Sequence, residues 1–326
     1  MKRLVPLLLS LLLPALVFAQ QKHNRYLEAM ELYDAGDYAE AARLLDEHYI
    51  NHPDCPYTAY NAACCYALIG EADRALLYLD RAIELGVYSF IDDSDFDSIR
   101  DGDAFQLRIA EVLGLIEELR EKDRPPQVSL PEDPPGDGGY PVVVMLHGYG
   151  GSPEPLLCDE IAGTFTERGY LFVAPYADEV RGPRAFVWSG IDGAEARVLE
   201  TLELLESEYG INESRVLLGG FSQGGAVCLG VGLRNPGVFG GIFPLAGGWN
   251  PLWAEYAAEA AEAGLRCYLW IGLEDDAERV ESLREAAGVL ESAGVELRFV
   301  VEPGVAHSLP KDTAGLFEEI LTYLVE

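Results

Sequence analysis

Gly220-Phe221-Ser222-Gln223-Gly224 reads Gly-x-Ser-x-Gly, directly after the apolar run Arg215-Val216-Leu217-Leu218-Gly219. A chain that leaves a strand and enters a helix within one or two residues strains the backbone at the serine, and only nearby glycines leave room for the turn. Gly220, Gly224 and Gly225 supply that room, and Ala226-Val227-Cys228-Leu229-Gly230-Val231 continues as a small-residue helix. The chemistry of a serine held there is nucleophilic attack. The pentapeptide alone also fits a structural turn, but a strand before it and a helix behind it favour the nucleophile.

A serine hydroxyl is a weak nucleophile and needs a base. The chain has five histidines. His23, His48 and His52 belong to an earlier helical region, and His147 precedes a Gly-Tyr-Gly-Gly turn where a backbone role is more natural. That leaves His307, on the loop after the last apolar run. A third group must orient the imidazole and stabilise its charged form. After the run Cys267 to Ile271 come three consecutive carboxylates, Glu274, Asp275 and Asp276. Asp275 is the expected orienter, with Asp276 and Glu274 as alternatives, because spacing does not give side-chain direction. The order Ser222, Asp275, His307 is the serine, acid, histidine order of one hydrolase class. An oxyanion formed on attack needs preorganised donors. The N–H of Gln223, at the start of the helix, is one. His147-Gly148-Tyr149-Gly150-Gly151 can bring a second, that of Tyr149. A phosphate cradle at this glycine-rich loop would need a lysine that is not there.

These residues require a frame. Further apolar runs occur at Pro141 to Leu146, Tyr170 to Ala174, Gly241 to Leu245, Arg266 to Ile271 and Glu296 to Val301, with amphipathic stretches at Ala194 to Tyr209, Ala254 to Ala263, Ala277 to Ser292 and Thr313 to Leu324. Strands buried on both faces and alternating with helices predict an α/β fold with a doubly wound, mostly parallel sheet over residues 140–326. Upstream, Tyr26, Ala29, Gly36, Ala41, Leu45 and Asp46 recur 34 positions later as Tyr60, Ala63, Gly70, Ala75, Leu79 and Asp80. That is the period of a tetratricopeptide unit, and residues 23–121 resemble that family, with two repeats and a following helix; packing on the second domain, or Gln106 to Arg120 acting as a capping helix, should complete their core. Residues 122–139, rich in proline and glycine, read as a linker or an edge-strand extension.

The amino terminus is basic at Lys2 and Arg3, then apolar from Leu4 to Phe18, and ends Val17-Phe18-Ala19. This pattern predicts a cleaved secretory leader over residues 1–19 and a periplasmic or extracellular protein. Pro6 and Pro14 interrupt the run and argue against a membrane anchor, which needs about 20 unbroken apolar residues. With 49% hydrophobic residues the chain is not disordered. Its net charge of −32 repels nucleic acid and anionic membranes. The six cysteines fit no metal motif; Cys228 and Cys267 read as small buried hydrophobes.

With Leu146-His147-Gly148-Tyr149-Gly150, Gly220 to Gly225, Gly272 with Asp275, and Ala306-His307, residues 140–326 resemble the α/β-hydrolase superfamily, nearest its phospholipase/carboxylesterase and polyhydroxybutyrate-depolymerase-like esterases. The resemblance implies hydrolysis of carboxylic esters or thioesters through an acyl-enzyme, without cofactor or metal. It carries over Ser222, Asp275 and His307 as a triad and Tyr149 and Gln223 as oxyanion donors. It also implies an acyl-pocket role for Trp188, within Phe186 to Ser189, the alternative being that the aromatic residues there are core. The acid motif departs from the family form, where an apolar residue follows the aspartate; here Asp276 follows. Two other readings share these residues: a serine peptidase of prolyl-oligopeptidase type, and a helical-repeat binding protein with an inactive hydrolase domain. The repeats would bind a protein partner or only cap the hydrolase.

Overall fold

The computed structural model describes residues 25–325, so the leader-like segment 1–19 and His23 lie outside the described residues. The chain divides into two compact units that part between Glu121 and Lys122.

The first unit is all helix. After a helix through residues 25–34 (α1) come α2 (Tyr38–Asn51), α3 (Pro56–Leu68), α4 (Ala72–Glu84) and α5 (Asp103–Arg120). The 34-residue shift in the sequence is a shift in geometry. Gly36 and Gly70 adopt φ of 80° and 79°, and the same pair of turn bonds closes each preceding helix: Gly36 N–H to the Tyr33 carbonyl with Asp37 N–H to Leu32, then Gly70 N–H to Ala67 with Glu71 N–H to Tyr66. Left-handed glycines of this kind satisfy helix carbonyls that would otherwise be orphaned. Ala29, Ala41, Ala63 and Ala75 are fully buried where the helices meet. Beyond α4, Phe90, Phe96 and Phe105 pack edge to face and tilted, with centroids 5.5–6.3 Å apart, and close the core against α5. An added Cβ at Gly70 would meet no atom within 4 Å, so Gly70→Ala carries only the left-handed backbone penalty. We expect it to destabilise the helical unit by about 1 kcal/mol, read as a lowered denaturation midpoint of the whole chain by far-UV circular dichroism; an unchanged midpoint would contradict this reading of the turn.

The second unit is built on one sheet. In chain order its strands are β1 (Gln127–Ser129), β2 (Tyr140–Leu146), β3 (Leu171–Ala174), the hairpin β4 (Glu179–Gly182) and β5 (Ala185–Val187), then β6 (Ile211–Phe221), β7 (Gly241–Leu245), β8 (Arg266–Gly272) and β9 (Glu296–Glu302). The main sheet runs β1-β3-β2-β6-β7-β8-β9, and every pairing is parallel except that of β1 with β3. Val142 to Leu146 are fully buried although successive side chains point to opposite faces, so both faces are covered. The helices are the short α6 (Thr164–Thr166), α7 (Ile191–Tyr209), α8 (Gln223–Arg234), α9 (Ala257–Glu262), α10 (Ala277–Ala293) and α11 (Thr313–Val325). Rings of Phe165, Phe172, Phe243 and Phe317 pack together on one face.

Of the two readings of residues 122–139, linker or edge-strand extension, Gln127–Ser129 follows the second and pairs with β3 as an antiparallel edge strand. The hairpin β4–β5 was not expected. It is joined to the main architecture through Phe186 N–H, which donates to the Gly151 carbonyl at 2.9 Å. All six cysteines are free thiols, and Cys228 and Cys267 are fully buried. Among the described residues no helix is long and apolar enough to cross a membrane.

The strand order fixes where a ligand would sit. The chain goes from β2 to β3 on one side, then returns to β6 on the other, so β2 and β6 flank the switch point. Ligands in open α/β sheets bind outside the carboxyl ends of the strands at such a point. Here those ends carry His147 to Gly151 and Ser222.

Candidate active site

Ser222 sits between β6 and α8 with φ 57° and ψ −118°, a region that L-residues adopt at a cost. The surroundings hold it there. Ser222 N–H donates to the Leu245 carbonyl of β7 at 2.9 Å, and its own carbonyl accepts from Ala226 N–H at 3.0 Å in the first turn of α8. A Cβ at Gly220 would collide with the Gly224 carbonyl oxygen, and one at Gly224 with the carbonyls of Leu146 and His147. The two glycines of the pentapeptide are therefore demanded by close backbone approach between β6, α8 and the end of β2.

Three residues far apart in the chain meet at this turn. The Ser222 hydroxyl lies 2.8 Å from His307 Nε2 and donates to it, and His307 Nδ1 donates to Asp275 Oδ2 at 2.7 Å. The Phe221 ring lies beside the imidazole, 5.1 Å between centroids. Asp275 is 8% exposed, whereas Glu274 and Asp276 on either side of it are exposed. Asp276 has separate employment: its Oδ1 accepts from Glu278 N–H at 2.9 Å and Arg279 N–H at 3.1 Å and caps α10. Of the three consecutive carboxylates, only Asp275 is in hydrogen-bond contact with His307. Its other oxygen accepts from Asp276 N–H at 2.7 Å and Arg279 Nη1 at 2.8 Å.

The two residues expected as oxyanion donors lie on different elements, Gln223 on α8 and Tyr149 on the loop after β2. Gln223 is the first residue of α8, so its N–H belongs to the positive end of the helix dipole. Its side chain is already committed: Oε1 accepts from Trp188 N–H at 3.1 Å, and Nε2 donates to the Trp188 carbonyl at 2.9 Å. Gly148 packs on the elbow, where an added Cβ would stand 3.3 Å from Ser222 Cβ. Tyr149 comes next, with its side chain 71% exposed.

His147 shapes that loop. Its buried Nε2 accepts from Ala177 N–H at 3.3 Å, so Nδ1 carries the hydrogen and donates to the Gly148 carbonyl at 2.8 Å. Burial lowers its pKa from the ordinary histidine value, favouring the neutral form that this tautomer requires. The His147 carbonyl accepts from the Trp188 indole at 2.9 Å, and the two rings lie 5.3 Å apart. Trp188 is thus corrected from an acyl-pocket residue to a strut. Only 2% exposed, it offers no surface to an acyl chain and instead ties the His147 loop to the Gln223 side chain. One further residue in contact with the site escaped the sequence reading. Arg279 reaches Asp275 from four residues on, a spacing that could have suggested the pair.

An imidazole hydrogen-bonded to a serine and backed by a buried carboxylate is equipped for acyl transfer. Sequence comparison bears on the same unit. Residues 189–324 match the phospholipase/carboxylesterase family model. The match takes in Ser222, Asp275 and His307 and stops short of the His147–Gly151 loop. Two curated relatives from Arabidopsis thaliana point the same way. A probable carboxylesterase SOBER1-like protein is 32% identical over 114 residues, 34% of this chain and 43% of that protein. Carboxylesterase SOBER1 is 28% identical over 190 residues, 51% of this chain and 83% of that protein. This chain thus spans less than half the length of the first relative. Among solved structures, an uncharacterized protein from Bacillus cereus superposes with a TM-score of 0.53 at 18% identity, covering 93% of this chain and 98% of its own. The likeness to the phospholipase/carboxylesterase family thus falls within the second unit.

Proposed function

We propose that this chain is an exported serine hydrolase that cleaves carboxylic esters or thioesters through an acyl-enzyme on Ser222. The observation that carries the reading is His307 bridging Ser222 Oγ at 2.8 Å and Asp275 Oδ2 at 2.7 Å. In this reading the imidazole takes the Ser222 proton as the hydroxyl oxygen attacks the acyl carbon. The resulting oxyanion is held by the Gln223 and Tyr149 amides, in a site whose donors are fixed before the reaction begins. The imidazolium then gives its proton to the leaving alcohol or thiol. Water, deprotonated by the same histidine, releases the acid and restores the serine. Export rests on the leader pattern of residues 1–19, and the helical unit is read as a tetratricopeptide-type repeat.

Covalent labelling tests the reading. A fluorophosphonate probe is expected to add one phosphonyl group to the protein, on the peptide containing Ser222, and to stop hydrolysis of p-nitrophenyl butyrate in proportion to labelling. Mass spectrometry that finds the adduct elsewhere, or finds none, would overturn it.

A further inference from the structure

Arg279 has no role in the serine, histidine, aspartate scheme, yet it stands inside it. It projects from the first turn of α10, four residues after Asp275, and its Nη1 donates to Asp275 Oδ1 at 2.8 Å. The same nitrogen lies 2.7 Å from His307 Nδ1. Nδ1 carries a hydrogen directed at Asp275 Oδ2, so guanidinium and imidazole are two donors side by side on one carboxylate. Arg279 is about a third exposed, and the Asp275 side chain about 1%.

This arrangement does two things. The carboxylate is fixed in rotation, because Oδ1 is held by both Arg279 and the Asp276 N–H and only Oδ2 remains for the imidazole. A permanent positive charge also stands against the ring atom that would share the positive charge of an imidazolium. The groups facing His307 are Asp275 from the loop after β8, Arg279 from α10, and Ser222 and Phe221 from the elbow. Glu274 and Asp276 are exposed, and Asp276 is engaged in the helix cap. Asp275 is thus the carboxylate favouring the charged ring, and Arg279 is the cation opposing it.

We propose that Arg279 is a positioning residue of the hydrolytic site, aligning Asp275 with His307 and setting a fixed positive charge against the ring atom that faces that carboxylate. The proposal rests on the serine-esterase reading above. Its signature is a pH profile. Without the guanidinium, the imidazolium loses a repelling neighbour and gains undivided access to Asp275, so the base becomes protonated at higher pH and activity is lost sooner on acidification.

The test compares the full-length parent with Arg279→Met, Arg279→Gln and Arg279→Lys on p-nitrophenyl butyrate, with kcat and KM measured across the acidic limb. R279M and R279Q are expected to lower kcat by about 10-fold to 10²-fold through misalignment, with KM little changed. They should also displace the acid limb of kcat/KM to higher pH by about one unit. R279K, which keeps the charge without the planar fork, is expected to retain the parental limb and recover part of kcat. A merely structural role would lower kcat in every variant and leave the limb in place; that result, or parental kcat in both uncharged variants, overturns the proposal. Carrying the glutamine variant beside the methionine one keeps the test decisive if either fails to fold. A parent that takes no fluorophosphonate at Ser222 overturns the esterase reading instead. A labelled parent with unmoved limbs in the variants overturns the role of Arg279 alone.

Discussion

Replacing Ser222 by alanine is expected to reduce ester turnover by about 10⁴-fold to 10⁶-fold while leaving the fold in place. Both halves of the expectation come from the same geometry. The hydroxyl is bonded to His307 Nε2 at 2.8 Å, and without it no atom is positioned to attack while the amides proposed to hold the oxyanion and the rest of the site persist. Residual hydrolysis is the share those donors supply with water as nucleophile, which is why the loss is large but finite. The fold should tolerate the change, because alanine keeps the Cβ and the backbone bonds that hold the strained turn, from Ser222 N–H to Leu245 and from Ala226 N–H to the Ser222 carbonyl. A change in stability within about 0.5 kcal/mol is expected. Steady-state rates on p-nitrophenyl butyrate and the thermal unfolding midpoint, measured on one preparation, check both. Alanine enzyme turning over at the parental rate would remove Ser222 from the chemistry; a collapse of both activity and stability would assign it a structural role.

How much of this was legible in the sequence follows from how local each cause is. The strained serine was readable because its causes are local: Gly220 and Gly224 flank it, and the apolar run and small-residue helix adjoin it. The α/β frame was readable because strands buried on both faces leave continuous apolar runs, and five of the seven strands of the main sheet lie within two residues of those runs. β6 begins earlier than its run, at Ile211 opposite Tyr140, and the polar stretch Asn212 to Ser214 falls in an irregularity before pairing resumes at Val216. β1 was the ambiguous case, a three-residue edge strand within a proline-rich stretch. The hairpin β4–β5 was invisible for a related reason. Its strands are only four and three residues long, β4 carries Glu179 and Arg181, and the apolar stretch at β5 is too short to announce a strand.

The site itself was harder to read, because its decisive contacts are tertiary. His307 could be reached by elimination among five histidines. Trp188 was assigned by position along the chain, and its burial depends on His147 and Gln223, which lie 41 and 35 residues away. The neutral tautomer of His147 depends likewise on the Ala177 N–H, 30 residues on. None of these contacts leaves a periodicity or a composition bias. The three carboxylates show the limit most clearly. Consecutive residues at the end of a strand point in different directions, and only the placement of the His307 loop decides which one is turned toward the base.

That directional difference gives the second large effect. Asp275→Asn is expected to lower kcat by about 10⁴-fold, and the reason lies in the donors that surround the carboxylate. Oδ1 receives two, Asp276 N–H and Arg279 Nη1, and Oδ2 receives one, His307 Nδ1–H. An asparagine must give its single carbonyl oxygen to one side. The side with two donors, one of them charged, wins, because turning an NH2 group toward Arg279 and the backbone amide would set donor against donor. The asparagine NH2 then faces His307 Nδ1, which must become an acceptor. The imidazole proton moves to Nε2, the atom that would have to take the proton from Ser222, and the base is disabled with its position hardly altered. Asp276→Asn should behave in the opposite way: asparagine caps helices as well as aspartate does, so activity and stability should both stay near the parental values. Glu274→Gln should be equally mild, since its side chain is exposed. Measuring kcat for the three amide variants side by side ranks the carboxylates. A deep loss in Asp276→Asn with little change in Asp275→Asn would transfer the orienting role by one position and contradict the geometry.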